Sequence, residues 1–115
     1  MAYDKSLADE MRELLSGEPA ITERRMFGGL AFLLHGHMAV CASRDGGMLV
    51  RVDPADEAEG VVAGEHVGPM VMRGRPMAGW LRVAPAGLVG EDAVASWVER
   101  GVAYARTLPP KAGAP

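Results

Sequence analysis

Arg24-Arg25-Met26-Phe27-Gly28-Gly29-Leu30-Ala31-Phe32 decides how this 115-residue chain is read. Leu33 and Leu34 extend its apolar run. Side chains of a strand alternate between two faces. Met26, Leu30, Phe32 and Leu34 therefore form one row, and Phe27, Ala31 and Leu33 the other. Both rows are apolar, which predicts a strand covered on both sides, by helices or by a second copy of the chain. Gly28 and Gly29 interrupt it and suggest a bulge or a close backbone approach. Arg24 and Arg25 stand at its entrance.

Downstream, His35-Gly36-His37 is the best hairpin turn, because His tolerates positive φ better than most residues and Gly adopts it freely. Met38 to Ser43 then returns antiparallel, Asp45-Gly46-Gly47 turns again, and Met48 to Val52 completes a three-strand meander. Asp53-Pro54 opens a short helix, with Asp53 as N-cap, Pro54 at its first position, and Asp56 and Glu57 in its first turn. Gly60 and Gly64 leave its end open, and Glu65 to Pro69 reads as loop. Met70–Met72 and Trp80–Val83 are two short strands around the turn Arg73-Gly74-Arg75-Pro76, and Pro85-Ala86-Gly87 breaks the pattern.

Helices flank this block. Leu7, Met11, Leu14 and Leu15 share one face of a helix running from about Asp4 to Ser16. Ser6-Leu7-Ala8-Asp9 resembles a capping box, with Asp4 as the alternative cap, and Gly17 and Pro19 stop the helix. Val94, Trp97, Val98, Gly101, Val102, Ala105 and Leu108 form the apolar stripe of a last helix. Glu91 and Asp92 lie near its start, Arg106 near its end, and Pro109-Pro110 beyond it. The expected class is α+β, in the order α-β-β-β-α-β-β-α, with a largely antiparallel five-stranded sheet and packed helices. Residues 1–110 form one domain, and 111–115 a flexible tail.

The chain has 49% hydrophobic residues, enough for one modest core. No apolar run reaches the ~20 residues of a membrane span, and Met1 to Lys5 lacks the features of a signal peptide, so a cytoplasmic location is the default expectation. A net charge of −3 argues against a general polyanion binder. Ten arginines stand against two lysines, a bias that coding composition explains as well as a need for carboxylate or phosphate forks.

The chemistry-bearing residues do not assemble into a catalytic motif. His35, His37 and Cys41 have part of a metal-ligand spacing, but a turn falls between the histidines and no fourth ligand is apparent. Cys41 with His35, His37 or His66 is a pairing that any chain with one Cys and three His offers. Ser43 and Ser96 lie in no nucleophile elbow. Asp53, Asp56, Glu57 and Glu59 read as a solvated helix face. The glycines match neither the dinucleotide fingerprint nor the phosphate-binding loop. No catalytic residue, metal site or cofactor is expected.

Arginines remain. Arg24 and Arg25 precede the apolar strand, Arg73 and Arg75 flank Gly74, and Arg82 follows Trp80 by two, on the same strand face. Arg with an aromatic neighbour is a combination found at interaction hot spots. These six residues are the candidate partner-binding set, although Trp80 also suits the core, and Trp97 suits it better. Met70, Met72 and Met77 cluster near the arginine turn, where adaptable binding and gap-filling core packing compete and core packing is the safer reading.

Arg25-Met26-Phe27-Gly28-Gly29, the hairpin ending in Met38-Ala39-Val40, and Arg75-Pro76-Met77 together resemble the N-terminal domain of the TfoX/Sxy family of bacterial competence regulators. The resemblance runs from Tyr3-Asp4 to Tyr104-Ala105-Arg106. It implies an α/β fold similar to type III secretion chaperones, which often dimerise through the sheet or a helix. Full regulators of the family carry a second, helical C-terminal domain that this sequence does not contain, so the resemblance implies a stand-alone N-terminal module. The expected function is non-enzymatic regulation or adaptation through protein contacts, with the transcription machinery as the partner class and a homodimer as the assembly. The alternative is a nucleic-acid-binding module using the same arginines, followed by a small-molecule or enzymatic domain using Cys41 or the histidines.

Overall fold

The computed structural model describes residues 3–26, 28–58, 65–90 and 92–110. Expectations at Phe27, Glu59, Gly60, Gly64, Glu91, the first two residues and the tail 111–115 lie outside the described residues, as does the side chain of Glu57. The elements are α1 (Lys5–Leu14), β1 (Ile21–Met26), β2 (Gly29–Leu34), β3 (His37–Ala42), β4 (Met48–Arg51), α2 (Pro54–Ala58), β5 (Val67–Met72), β6 (Arg75–Val83), a 3-10 turn (Pro85–Leu88) and α3 (Ala93–Arg106). All neighbouring strands are antiparallel, in the order β1-β2-β3-β4-β6-β5. The class is α+β, as expected.

The sheet has six strands rather than five, because the decisive stretch is two strands and not one. Ile21 to Met26 pairs with Leu34 to Gly29 as a hairpin, so the glycines mark a reversal instead of a bulge, and Arg24 and Arg25 lie inside a strand. Gly28 has φ +77, and a Cβ on Gly29 would sit 2.1 Å from the Ala42 carbonyl oxygen. The expected close backbone approach is therefore real, and it is made to β3.

Three other local readings shift. Asp4, not Ser6, caps α1, its carboxylate accepting from the Leu7 amide at 3.1 Å. His35 and Gly36, at φ 51 and 86, form the turn between β2 and β3, while His37 already belongs to β3. Val67 opens β5 where a loop was expected, and the last two strands are longer than their apolar cores. Asp53 does act at the start of α2, accepting from the Ala55 amide.

The main core lies between one sheet face and the helices α1 and α3. Leu7, Met11 and Leu15 from the first helix and Val94, Val98 and Val102 from the last meet Leu30, Phe32, Leu34, Val40, Met48 and Val50. Each such side chain, fully buried, contributes roughly 1.5–3 kcal/mol. Trp97 packs against this core half-buried. Arg12 clamps Glu23 of β1 through two hydrogen bonds of 2.6 and 2.9 Å, and Arg106 of α3 pairs with Glu18. Every residue of β2 is buried within a single chain, so its two apolar faces do not require a second subunit.

Candidate functional site

On the sheet face away from α1 and α3 a second apolar cluster forms around Ala31, Leu33, Met38, Cys41, Leu49 and Met70. Met26, Met72 and Trp80 pack against it, partly buried. Among the described residues no helix contributes to that cluster, and strand bending supplies cover. In the β5–β6 ladder Pro69 pairs with Leu81 but Met70 pairs with Met77, so residues 78–80 of β6 are unmatched. Gly79 takes φ +85 within that excess. Extra residues on one strand bend it and raise its twist, and a second register shift lies between Phe32 and Leu33.

The result is a hollow of about 190 Å³. Arg24 and Met26 of β1 line it together with Met70 and Met72 of β5, so the two edge strands of the sheet curl towards one space. Leu33 and Met38 contribute from β2 and β3, Gly36 from the turn between them, and Met77, Trp80 and Arg51 from β6 and β4. Arg51 and Trp80 are directly opposed across the β4–β6 ladder, with the guanidinium carbon 4.6 Å from the indole centroid. Arg24 is exposed and Arg51 half-buried, and neither makes an ion pair with a described residue. Five of the chain's eight methionines line this hollow.

The sequence candidates divide accordingly. Arg24 and Trp80 come together at the hollow. Arg25 pairs with Leu30, whose side chain enters the main core, so Arg25 projects from the opposite, helix-bearing face. Arg73, at φ 52 in the turn, and Arg75 are exposed at the tip of the β5–β6 hairpin. Arg82 shares the Trp80 face, as expected from the alternation, but is ion-paired with Asp45. Of the methionines read from sequence as core, Met70 is buried in the second cluster and Met72 packs against it half-buried, while Met77 is exposed; all three also line the hollow. Arg51 went unnoticed in the sequence; its one signal is an arginine at the same strand parity as Leu49.

The remaining reactive groups are separated. Cys41 is fully buried in the second cluster, and burial pushes its thiol up to about 11. His37 donates to the Pro109 carbonyl at 2.7 Å, and its partner in the ladder, Leu34, lies in the main core. His37 and Cys41 therefore belong to opposite sheet faces. No group of three His, Cys, Asp or Glu suited to a metal occurs among the described residues. A larger, polar hollow of about 560 Å³ lies between Asp53 and Asp56 and the α3 residues Ser96, Glu99, Arg100 and Tyr104. Among the described residues no helix is long and apolar enough to cross a membrane.

Compared with known proteins, residues 13–105 match the model of the TfoX N-terminal domain family. No curated protein and no solved structure matches the chain.

Proposed function

The chain belongs to the TfoX N-terminal domain family, and from that premise we propose that it is a non-enzymatic regulatory or adaptor domain acting through protein contacts in transcription or competence-type control. The observation that carries this reading is the distribution of unpaired arginines. Arg24, Arg25, Arg44, Arg73, Arg75 and Arg100 are exposed and make no ion pair with a described residue; of these, Arg24 lines the hollow and Arg73 and Arg75 stand at the tip of the β5–β6 hairpin. Arginines that serve the fold are engaged: Arg12 with Glu23, Arg82 with Asp45, Arg106 with Glu18. Free guanidinium forks suit acidic side chains of a partner through charge-assisted, two-pronged hydrogen bonds. The placement of Cys41 and His37 on opposite sheet faces also supports a role without covalent chemistry.

Affinity purification from the native cell with the chain as bait tests this. Partners recovered by the wild type should be lost by the R24A/R73A/R75A variant and kept by R25A, whose side chain projects from the other face. Equal recovery by the triple variant removes the arginine surface from the reading.

A further inference from the structure

The methionine-lined hollow combines two kinds of chemistry. Its interior is apolar, with Leu33, Met38 and Met70 buried, and among the described residues its charged lining is Arg24 and Arg51, with no carboxylate. Three other hollows each carry a carboxylate, from Asp53, Glu18 or Asp45. The Arg51 guanidinium carbon lies 4.6 Å from the Trp80 ring centroid and 5.8 Å from that of Tyr104, and the group makes no ion pair with a described residue, so its charge stands at the hollow without an acidic partner among them. Arg24 adds a second free fork on the same lining.

Size narrows the ligand. A dry cavity of about 150 Å³ holds a benzene ring, whereas sites for drug-sized molecules run to roughly 300–1,000 Å³. At about 190 Å³ this one has room for little more than a ring or a short chain. Methionine walls are unbranched and adaptable, so they accept such a body without demanding one shape.

We propose that the hollow binds a small monocarboxylic acid with an apolar body, aryl or medium-chain, its carboxylate held by Arg24 and Arg51 and its body among the methionines and the Trp80 indole. Nucleotides and two-chain lipids are too large to be buried in the space, and an uncharged hydrocarbon leaves both guanidinium groups unused. This inference does not rest on the adaptor reading, which stands or falls on partner capture.

Octanoate titrated into the full chain, with methionine methyl groups observed by NMR, tests it. The signals of Met26, Met38, Met70, Met72 and Met77 should shift, while those of Met11 and Met48, buried in the main core, stay in place. Octan-1-ol, of equal chain length, should bind at least about tenfold more weakly, as expected for loss of a charge-assisted contact. Arg24→Ala should weaken octanoate by about the same factor and leave octanol unchanged. Static Met11 and Met48 signals in R24A show that the variant keeps its fold. Silence of the five methyls at millimolar octanoate, octanol binding as tight as octanoate, or equal shifts at Met11 and Met48 would each overturn the proposal.

Discussion

Arg51 and Trp80 face each other across β4 and β6, with the guanidinium carbon 4.6 Å from the indole centroid. The pair joins a half-buried cation to the ring that closes one side of the methionine cluster. A cation over an indole contributes about 0.5–1 kcal/mol at an exposed site and more as it is desolvated. A double-mutant cycle of Arg51→Ala and Trp80→Leu, measured by urea unfolding, should therefore give a coupling of about 1 kcal/mol. In a Trp97→Phe background, R51A should also shift the remaining tryptophan emission to the red. Additive single effects would show that the two side chains are merely adjacent.

Gly101 should invert the usual helix rule. Alanine for glycine within a helix ordinarily stabilises by roughly 1 kcal/mol. Here a Cβ would stand 2.5 Å from the Ala39 carbonyl oxygen and 2.8 Å from Val40 Cγ1, where α3 rests on β3. Gly101→Ala should thus destabilise by about 1–3 kcal/mol, in the range of overpacking. Gly17 is the control, since nothing lies within 4 Å of its added Cβ. Gly17→Ala should be neutral or slightly stabilising in thermal unfolding.

Much of the fold was legible because its signals are local. The apolar stripe of α3, the Asp53-Pro54 start of α2 and the His35-Gly36 turn each need only a few consecutive residues. The hairpin of β1 and β2 was hidden for a physical reason. Ile21-Thr22-Glu23-Arg24-Arg25-Met26 is an edge strand with three exposed charged residues in succession, and it lacks the apolar alternation that marks a strand. Its stability comes from the ladder with β2 and from Arg12 reaching Glu23 eleven residues away, which no spacing rule reports. The hollow was less legible still. It joins Arg24 to Trp80 through register shifts at residues 32–33 and 78–80, and shifts of that kind are settled by tertiary packing. Strand parity correctly put Arg82 on the Trp80 face, but it could not foresee the Asp45 partner.

Acid should loosen the contact between α1 and β1. Two hydrogen bonds from Arg12 hold the Glu23 carboxyl below its usual range. A carboxylate lowered in the folded state stabilises above its unfolded pKa, and that contribution is lost as pH falls through the folded value. Glu23→Gln should therefore raise the pH of the acid-unfolding midpoint relative to wild type. The pair is substantially solvent-exposed, so the effect should be small and should shrink in high salt. An unchanged midpoint at low ionic strength would mean that the fork does not couple to folding.

Cys41 gives the corresponding prediction at the alkaline end. Its side chain is fully buried among apolar neighbours, which disfavours the thiolate and raises the thiol from 9.0 to about 11. Below the unfolded value both states are protonated and the shift has no effect on stability. Between about 9 and 11 the unfolded chain releases a proton that the folded chain keeps, so stability falls as pH rises. A shift of this size corresponds to about 2–3 kcal/mol across the window. Tyrosines and lysines titrate nearby, so the comparison is with Cys41→Ala, which should lose that part of the alkaline slope despite a lower stability at neutral pH. Thiol-specific reagents should likewise modify the native protein at pH 8 far more slowly than the urea-unfolded chain, because the thiolate is the nucleophile and burial suppresses both its formation and its access. Equal rates in the two states would place Cys41 at the surface.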